Sequence, residues 1–480
     1  MLWQRQAFIA AVAIHGDVNQ LEPVIEAAGC APCAATLVAA ARAGQVACCQ
    51  RLIELGCPPR DGLEAAASGG QLAACEWFLD RGASPIKAAA LAAAAGGHVA
   101  VLDMLCSRST WSPASWDKLD LLKAVAHGCD MQTLQRMYER YSPEDASELA
   151  ALRAPAASSP TPDWQAKLSW LEQRGPASEE ILTQICEAAA RCPDADALAR
   201  LQWLQQRRYP VTASGAVSAA ASAGNLAAFA WLLQQGAPLP AKPVEVKLQG
   251  PQGRATTLQK TLLGLQQAGC PVDWVRSALH AARSGDRRGV AWLVQQFPAP
   301  QQPPGVLAEQ VPGLLADAAA AGSVQLVAWV RGWGAELHSG LWRRAVESGC
   351  EALLGWLRDL GCPMPPDDKR GELYRAPAFP ACDVATLRAL VRLGLPLTPE
   401  RCRTLYGSTW YDVAWSGGQR QRASVPLLRL LLELGCVAEG RWDEARMLVG
   451  RTEDEAARGS LFTWLRQQKA AQQQAQQGAQ

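Results

Sequence analysis

The residues best able to do chemistry in this chain are its cysteines. Cys30 and Cys33 form a C-x-x-C pair, a spacing found in zinc sites and redox centres. The sequence contains no second pair of this kind, and Cys30 directly follows a glycine that recurs along the chain. We therefore interpret both cysteines as structural residues and expect neither a bound metal nor a cofactor.

The five histidines, and the acidic residues, form no catalytic pattern either. The sequence has no His-x-x-x-His pair, no Gly-x-x-x-x-Gly-Lys phosphate loop and no Gly-x-Ser-x-Gly nucleophile turn. The carboxylate pair Glu179–Glu180 lies at a predicted helix start, where acidic residues interact favourably with the helix dipole. We therefore expect no catalytic residues and no enzymatic activity.

The overall charge of the chain limits its partners. Its 480 residues carry a net charge of +1, whereas nucleic-acid binding usually involves a strong basic excess. No apolar run approaches the roughly 18 residues of a membrane span. These features predict no nucleic-acid and no membrane partner. The many unpaired cysteines fit a reducing compartment, which is the cytoplasm or, alternatively, the nucleus.

The elements that position these residues are short helical hairpins. The stretch 65–85 reads AAASGGQLAACEWFLDRGASP, in which a first helix ends at Gly70 and a second helix ends at Gly82. Between the glycines, Leu72, Cys75 and Phe78 are spaced to share one apolar face, together with Leu79. Such a hairpin is too small to bury that face alone and needs a copy on each side.

Copies of the hairpin recur along the sequence. The turn glycines Gly16, Gly44, Gly70 and Gly97 are 28, 26 and 27 residues apart, and residues 219–238 repeat the pattern around Gly224. A fixed period in this range is typical of stacked repeat proteins. We predict an all-α solenoid of 12 to 14 helix–turn–helix units, in which the turn glycines have a positive φ.

The unit resembles an ankyrin repeat. Ala40-Ala41-Arg42-Ala43-Gly44 matches the family's Ala-Ala-x-x-Gly, and Trp231-Leu232-Leu233-Gln234-Gln235-Gly236-Ala237 matches its paired leucines and Gly-Ala. The Thr-Pro-Leu-His opening is missing, and the period falls short of the family's value of about 33 residues. The resemblance therefore implies degenerate repeats that mostly lack the β-hairpin finger, and it implies a protein-binding function.

The repeat pattern divides the chain into segments. The apolar residues 1–16 enter the first repeat directly, so we interpret them as a helix rather than a signal peptide. Ankyrin-like repeats are predicted at 1–143, 164–238 and 258–361, separated by a flexible insertion at 144–163 and an irregular loop at 239–257. Divergent helical repeats are predicted at 362–466, and a low-complexity Gln/Ala tail at 467–480.

In seven of the second helices a tryptophan lies five residues before the glycine, or its substitute, that ends the helix. Regular aromatic spacing could provide a platform for stacking on bases, but we interpret these residues as mostly buried wedges between neighbouring repeats. The seven tryptophans in this position are Trp77, Trp170, Trp203, Trp231, Trp292, Trp329 and Trp356.

The ankyrin resemblance also implies where a partner would bind. In that family the contacts come from the fingers and from the two residues before each turn glycine, on first helices that line a concave side. The corresponding residues here are Arg42, Ala43, Ser68, Gly69, Ala126, His127, Ser222, Ala223, Arg283, Ser284, Glu347 and Ser348.

Function is therefore predicted as a non-enzymatic protein–protein interaction scaffold. Two alternatives remain open. One is an RNA-binding helical repeat, which a basic stripe along the first helices would favour. The other is an adaptor that recruits a substrate to an enzyme, for which residues 370–480 are the candidate second module.

Overall fold

The computed structural model describes residues 1–55, 57, 59–83, 86–108, 117–143, 145–247, 254–298, 308–366, 373 and 383–395. Throughout these residues the chain is an all-α solenoid of helical hairpins, which confirms the predicted fold class. The described chain forms two compact units, one containing residues 63–336 and the other containing residues 1–62 with residues from 337 onwards.

Left-handed glycines end the first helices as predicted. Gly44, Gly70, Gly97, Gly224 and Gly349 have φ values of 76°, 72°, 75°, 81° and 61°. The positive φ turns the chain back so that the second helix packs against the first. The N-terminal segment is also helical, over Leu2–His15.

Gly128 is the exception among the turn glycines. It belongs to a helix, Asp117–Gly128, and a Cβ added there would clash with the backbone carbonyl oxygens of Ala94 and Ala95. This position is therefore glycine because the neighbouring first helix comes very close, and not because of backbone conformation.

The unit formed by residues 63–336 contains most of the repeats. Alanines pack its first helices closely together: Ala66, Ala93, Ala189 and Ala220 are completely buried. Its helices are α5 Gly62–Ser68, α6 Leu72–Asp80, α7 Ile86–Ala95, α8 Val99–Arg108, α9 Asp117–Gly128, α10 Met131–Tyr141, α11 Ala146–Ala151, α12 Arg153–Ala157, α13 Trp164–Glu172, α14 Glu179–Ala190, α15 Asp194–Gln206, α16 Ser214–Ala223, α17 Leu226–Gln234, α18 Arg254–Gln267, α19 Trp274–Arg283, α20 Arg287–Gln296, a 3₁₀ turn Ala308–Gln310, α21 Val311–Ala320 and α22 Val324–Arg331.

The other unit brings together residues from distant parts of the sequence. Its helices are α1 Leu2–His15, α2 Val18–Ala28, α3 Ala34–Arg42, α4 Val46–Glu54, α23 Gly340–Ser348, α24 Glu351–Asp359 and α25 Val384–Arg392. The guanidinium of Arg5 donates two hydrogen bonds, of 2.7 and 2.9 Å, to the buried carboxylate of Asp383. The amide of Ala385 also donates to the carbonyl of Gly29 at 3.3 Å.

The segment 144–163 differs from the flexible insertion that its prolines and serines suggest. It contains α11 and α12, and Arg153, Ala156 and Ser159 are buried. The Pro155 ring lies in the first turn of α12, where the missing N–H leaves no helix bond unmade. This stretch is the first-helix part of an ordinary repeat.

The predicted irregular loop at 239–257 is described only in part. Val244 forms an isolated parallel bridge with Val272, through hydrogen bonds of 2.9 Å from the amide of Val244 to the carbonyl of Pro271 and from the amide of Asp273 to the carbonyl of Val244. This backbone is therefore extended and held against the next repeat. Most of the predicted segment 362–466 and all of the tail 467–480 lie outside the described residues.

Among the described helices, none is both long enough and apolar enough to cross a lipid bilayer.

Candidate functional site

The residues predicted to contact a partner differ widely in exposure. Arg42 and Arg283 are exposed, whereas Ala126 and Ser348 are buried. The prediction is therefore wrong for the side chains of Ala126 and Ser348, because neighbouring helices already cover them. The remaining eight are partly exposed: Ala43, Ser68, Gly69, His127, Ser222, Ala223, Ser284 and Glu347.

The serines of this set serve their own helices. Ser68, Ser222, Ser284 and Ser348 each donate a side-chain hydrogen bond to the carbonyl three residues earlier, at 2.8, 3.0, 3.1 and 2.7 Å. At least two of these carbonyls also accept a backbone amide, Ala65 from Gly69 and Ala281 from Asp286, so the hydroxyls add a second hydrogen bond in the last helical turn. The hydroxyl protons are therefore committed to the helix to which each serine belongs.

Charged residues on the first helices form pairs of opposite sign. Arg283 lies 3.7 Å from Asp317 of the next first helix, and Glu347 accepts from Arg343 and Arg344 at 2.9 and 3.3 Å. Further pairs are Lys123–Asp120, Arg191–Glu187 and Arg276–Asp273. The exposed cations of these pairs are thus neutralised locally, and they do not produce a basic stripe.

A recurring inter-repeat bond involves the residue that follows a turn glycine. Gln45 donates its side-chain amide to the Ile14 carbonyl at 3.1 Å, and the His98 ring lies 3.1 Å from the Ser68 carbonyl. Asn225 donates to the carbonyls of Ala190 and Cys192 at 2.7 and 2.6 Å. In each case the acceptor is at the end of the preceding first helix, so this turn position caps the neighbouring repeat.

Buried cations from second helices cap first helices in the middle of the same unit. Lys167, which is completely buried, donates to the carbonyls of Ala126 and Cys129 and to the Ser159 hydroxyl. Arg200 donates to the carbonyls of Ala157 and Ser159, the latter at 2.8 Å. Both cations thus complete the end of a preceding first helix, where the helix dipole favours positive charge.

Burial changes the ionisation of this cluster. It lowers the pKa of Lys167, which Asp163, 3.7 Å away, only partly offsets. Burial also raises the pKa of Asp163, but hydrogen bonds from Thr161 and the Met131 amide, together with Lys167, outweigh that effect and lower it overall. The Lys167 amine is closed off and fully engaged, so it is not available as a nucleophile.

The cysteines are thiols in the described chain. Cys30 is buried and Cys33 partly exposed, and neither forms a disulfide. Burial raises the pKa of Cys49, Cys57 and Cys186 to about 12, which makes these thiols unreactive near neutral pH. Among the described residues, no group of three or more His, Cys, Asp or Glu side chains could hold a metal ion.

A shallow pocket is lined by Ser277, His280, Ser284 and Asp286. The Ser277 hydroxyl donates to the backbone carbonyl of Asp273, and that of Ser284 to the carbonyls of His280 and Ala281. Asp286 caps the start of α20 by accepting from the Gly289 amide. Both hydroxyl protons are therefore committed to the backbone, and this grouping is not a catalytic triad.

The tryptophan column is less interior than predicted. Trp329 is buried, but Trp77, Trp170, Trp203, Trp231, Trp292 and Trp356 are only partly buried. The interior position is the next residue, which is fully buried or nearly so in every case: Phe78, Leu171, Leu204, Leu232, Leu293, Val330 and Leu357. Each helix presents this residue to the core, so in every helix except that of Trp329 the tryptophan one step earlier lies at the edge of the helix interface.

Several of these tryptophans contact the preceding repeat and stack with arginine. Trp170 meets Tyr138 edge-on, with ring centroids 5.1 Å apart, and Trp203 meets Trp164 in the same way at 5.0 Å. The guanidinium carbon of Arg174 lies 3.4 Å from the centroid of Trp170. Arg81 over Trp77 and Arg207 over Trp203 repeat this arrangement at 3.9 and 4.7 Å.

This aromatic–arginine surface of α10, α13 and α15 was not predicted from the sequence. The available signal is the spacing Trp-x-x-x-Arg, which occurs at Trp77, Trp170 and Trp203 and places the guanidinium one helical turn beyond the ring.

No protein-family model matches the chain, and no curated protein matches it in sequence. Among solved structures, it is similar to the crystal structure of the pentatricopeptide repeat protein PPR10 in complex with an 18-nt psaJ RNA element. The match has 13% identity and a TM-score of 0.33, and it covers 95% of this chain and 71% of that chain.

This comparison corrects the prediction of no nucleic-acid partner. That prediction is wrong as an exclusion, because a chain that aligns with 95% of this one was solved with RNA bound. A TM-score of 0.33 does not, however, identify a ligand of the present protein.

Proposed function

We propose that this protein is a non-enzymatic scaffold of degenerate ankyrin repeats that binds another protein. The observation that carries this proposal is the aromatic–arginine surface of α10, α13 and α15, where Tyr138, Trp170 and Trp203 are partly exposed beside arginines. Tyr, Trp and Arg are the side chains most enriched at the energetic centres of protein interfaces.

The ankyrin assignment is supported by local features. The left-handed glycines at Gly44, Gly70 and Gly224 fall at the end of the Ala-Ala-x-x-Gly pattern. The short links between hairpins are in keeping with repeats that have lost their fingers. The free thiols of the described cysteines support a reducing compartment, and we propose the cytoplasm or nucleus.

The proposal of a protein partner is tested by affinity purification of the tagged full-length chain with and without RNase. A protein set that survives RNase treatment, and that shrinks when Trp170 and Trp203 are replaced by alanine, is the expected result. Loss of every specific partner on RNase treatment would contradict the proposal and favour RNA.

RNA is the second candidate partner. It is favoured by two tryptophans that are partly exposed and have no arginine one helical turn later to cover the ring. Trp231 and Trp292 are followed at that position by Gln235 and Gln296, so they could offer an indole face to a base. Quenching of tryptophan emission by single-stranded RNA, weakening as salt rises and lost in the Trp231→Ala variant, would establish this function. Unchanged tryptophan emission would contradict RNA binding.

The candidate module of the adaptor hypothesis, residues 370–480, lies outside the described residues except for residues 373 and 383–395.

A further inference from the structure

A ladder of side-chain pairs follows the outer edge of the second helices α10, α13, α15 and α17. Each pair joins two successive second helices. The later helix contributes the residue four positions after its tryptophan. The earlier helix contributes the residue that directly follows its buried core residue. The three successive pairs are Arg174 with Tyr138, Arg207 with Glu172, and Gln235 with Gln205.

Two of the three pairs are polar and mutually satisfied. Arg207 stacks on Trp203 and donates to the carboxylate of Glu172, which also accepts from the Tyr209 hydroxyl. Gln205 donates to Gln235 at 2.6 Å. At these two positions the chain supplies both the donor and the acceptor.

The remaining pair lacks an acceptor. Arg174 is exposed and stacks on Trp170, as Arg207 does on Trp203, but the preceding helix has Tyr138 where Glu172 would be. The guanidinium carbon lies 5.4 Å from the Tyr138 centroid, and one of its nitrogens donates to the Trp170 carbonyl at 3.1 Å. Among the described residues, Arg207 is paired with Glu172 and Arg136 with Asp103, but Arg174 forms no ion pair.

We propose that Arg174 is the anchor for a carboxylate of an acidic peptide segment in a protein partner. The carboxylate takes the place that Glu172 has against Arg207, and the methylene groups of the acidic side chain lie against Tyr138. The indole holds the guanidinium flat, so the remaining N–H groups are oriented before the partner arrives. This inference rests on the proposed protein-binding function and specifies the partner's chemistry.

The same geometry favours a carboxylate over a nucleic-acid base. Arg174 covers one face of the Trp170 ring, and Tyr138 meets that ring edge-on. A base stacks on an open aromatic face, whereas a carboxylate needs only the outer N–H edge of the guanidinium.

The test uses the full-length protein and a fluorescein-labelled oligoglutamate peptide as the probe. We expect the probe to bind and the Arg174→Gln variant to weaken binding about tenfold, because a hydrogen bond to a charged group is lost. The matched control is Arg136→Gln on α10, an exposed arginine whose guanidinium already donates to the Asp103 carboxylate at 2.8 and 3.0 Å. It should change binding less than about twofold.

Modification of the unaltered protein provides a second measurement that does not depend on variant folding. Phenylglyoxal adducts on arginine, followed by mass spectrometry, should decrease at Arg174 when the probe is added and stay constant at Arg207. Equal protection of both arginines, or of neither, would overturn the proposal.

Further probes distinguish the alternatives. An oligoglutamine peptide should not bind. If oligouridylate RNA binds as well as oligoglutamate and loses the same affinity in Arg174→Gln, the site recognises polyanions in general and the proposal is wrong. Glu139 follows Tyr138 in the chain and is exposed. Unchanged probe affinity in Glu139→Gln would support the proposal, whereas tighter probe binding in that variant would show that Glu139 already pairs with Arg174 and would overturn it.

The failure of this site would differ from failure of the proposed function. If oligoglutamate does not bind but RNase-resistant partners persist, only the acidic-segment inference is lost. If the probe binds through Arg174 but no protein partner survives RNase treatment, the proposed function is lost.

Discussion

Two neighbouring regions of the 63–336 unit complete the end of a first helix by different chemistry. In the repeats of α14 to α17, the side-chain amide of Asn225 reaches from a turn to the carbonyls of Ala190 and Cys192. In the repeats of α9 to α13, the ammonium of Lys167 reaches from inside a second helix to the carbonyls of Ala126 and Cys129. The acceptors are equivalent, but one donor is neutral and the other charged.

The difference shows that hydrogen-bond donors to these carbonyls are required, whereas the residue that supplies them can vary. The carbonyls at the end of a buried first helix need donors from the next repeat, since leaving them unpaired in the interior is costly. The position and type of the donor can vary, because a short amide side chain at the turn and a long amine side chain from the second helix both reach the carbonyls at the end of a first helix. The lysine solution also needs Ser159 and Asp163 around the amine, which the asparagine solution does without.

The largest expected effect is that of Lys167→Met. This change keeps the side-chain volume but leaves the carbonyls of Ala126 and Cys129 without the ammonium that donates to them. We expect a loss of about 3–5 kcal/mol in unfolding free energy, measured by denaturant unfolding with hydrogen exchange to locate the loss in α9 and α12. The exposed Lys260→Met serves as the control and should change stability by less than about 0.5 kcal/mol. Equal stability of the two variants would show that the lysine is not a required cap.

A smaller loss is expected for Asn225→Leu, because a neutral donor is removed and no buried ion pair is broken. The predicted cost is about 2 kcal/mol, from two carbonyls that lose their partner. Asn225→Gln and Asn225→His are the matched variants, since Gln45 and His98 perform this task in other repeats. If leucine were tolerated as well as these two residues, the amide bonds would contribute nothing.

Arg208→Gly should stabilise the chain. Arg208 ends α15 with a φ of 64°, where the equivalent Gly82 and Gly236 have φ values of 76° and 86°. Replacing it with glycine removes the left-handed strain of a residue with a Cβ, so we expect a gain of about 1 kcal/mol. Thermal unfolding measures it, with Arg207→Gly as the destabilising comparison, because Arg207 has a φ of −95° and no left-handed strain to relieve. A decrease in stability for Arg208→Gly would indicate that its side chain contributes more than the strain costs.

The smallest effect concerns pH and distinguishes the lysine-capped region. Burial lowers the pKa of His127, a backbone hydrogen bond to Pro155 acts in the opposite direction, and Lys167 and Arg200 lower the pKa further. The unfolded state therefore binds the proton first, and stability is lost as the pH falls below the ordinary histidine value of about 6.5. His127→Gln should flatten this slope in unfolding measured between about pH 8 and pH 5. An unchanged slope would place the acid sensitivity elsewhere.

The sequence by itself determined the repeat and its turns. The interval between Gly44, Gly70 and Gly97, and the apolar spacing on each hairpin, depend on contacts within about one turn of helix, so local periodicity was enough to predict them. The same local criteria predicted a flexible stretch at 144–163, since Pro155 and the serines are common in loops. They also placed the tryptophans in the core, where the neighbouring Leu171 and Leu204 actually lie.

Only the tertiary structure decided which residues meet between repeats. Lys167 finds its acceptors 38 and 41 residues earlier, Asn225 finds its own 33 and 35 residues earlier, and Arg5 pairs with Asp383 across 378 residues. No short-range pattern encodes such partners, because any donor of sufficient reach can satisfy a helix end once the repeats have stacked. The contrast between Arg207 with Glu172 and Arg174 with Tyr138 arises in the same way: it is set by the register of adjacent second helices, which only packing of their buried faces fixes.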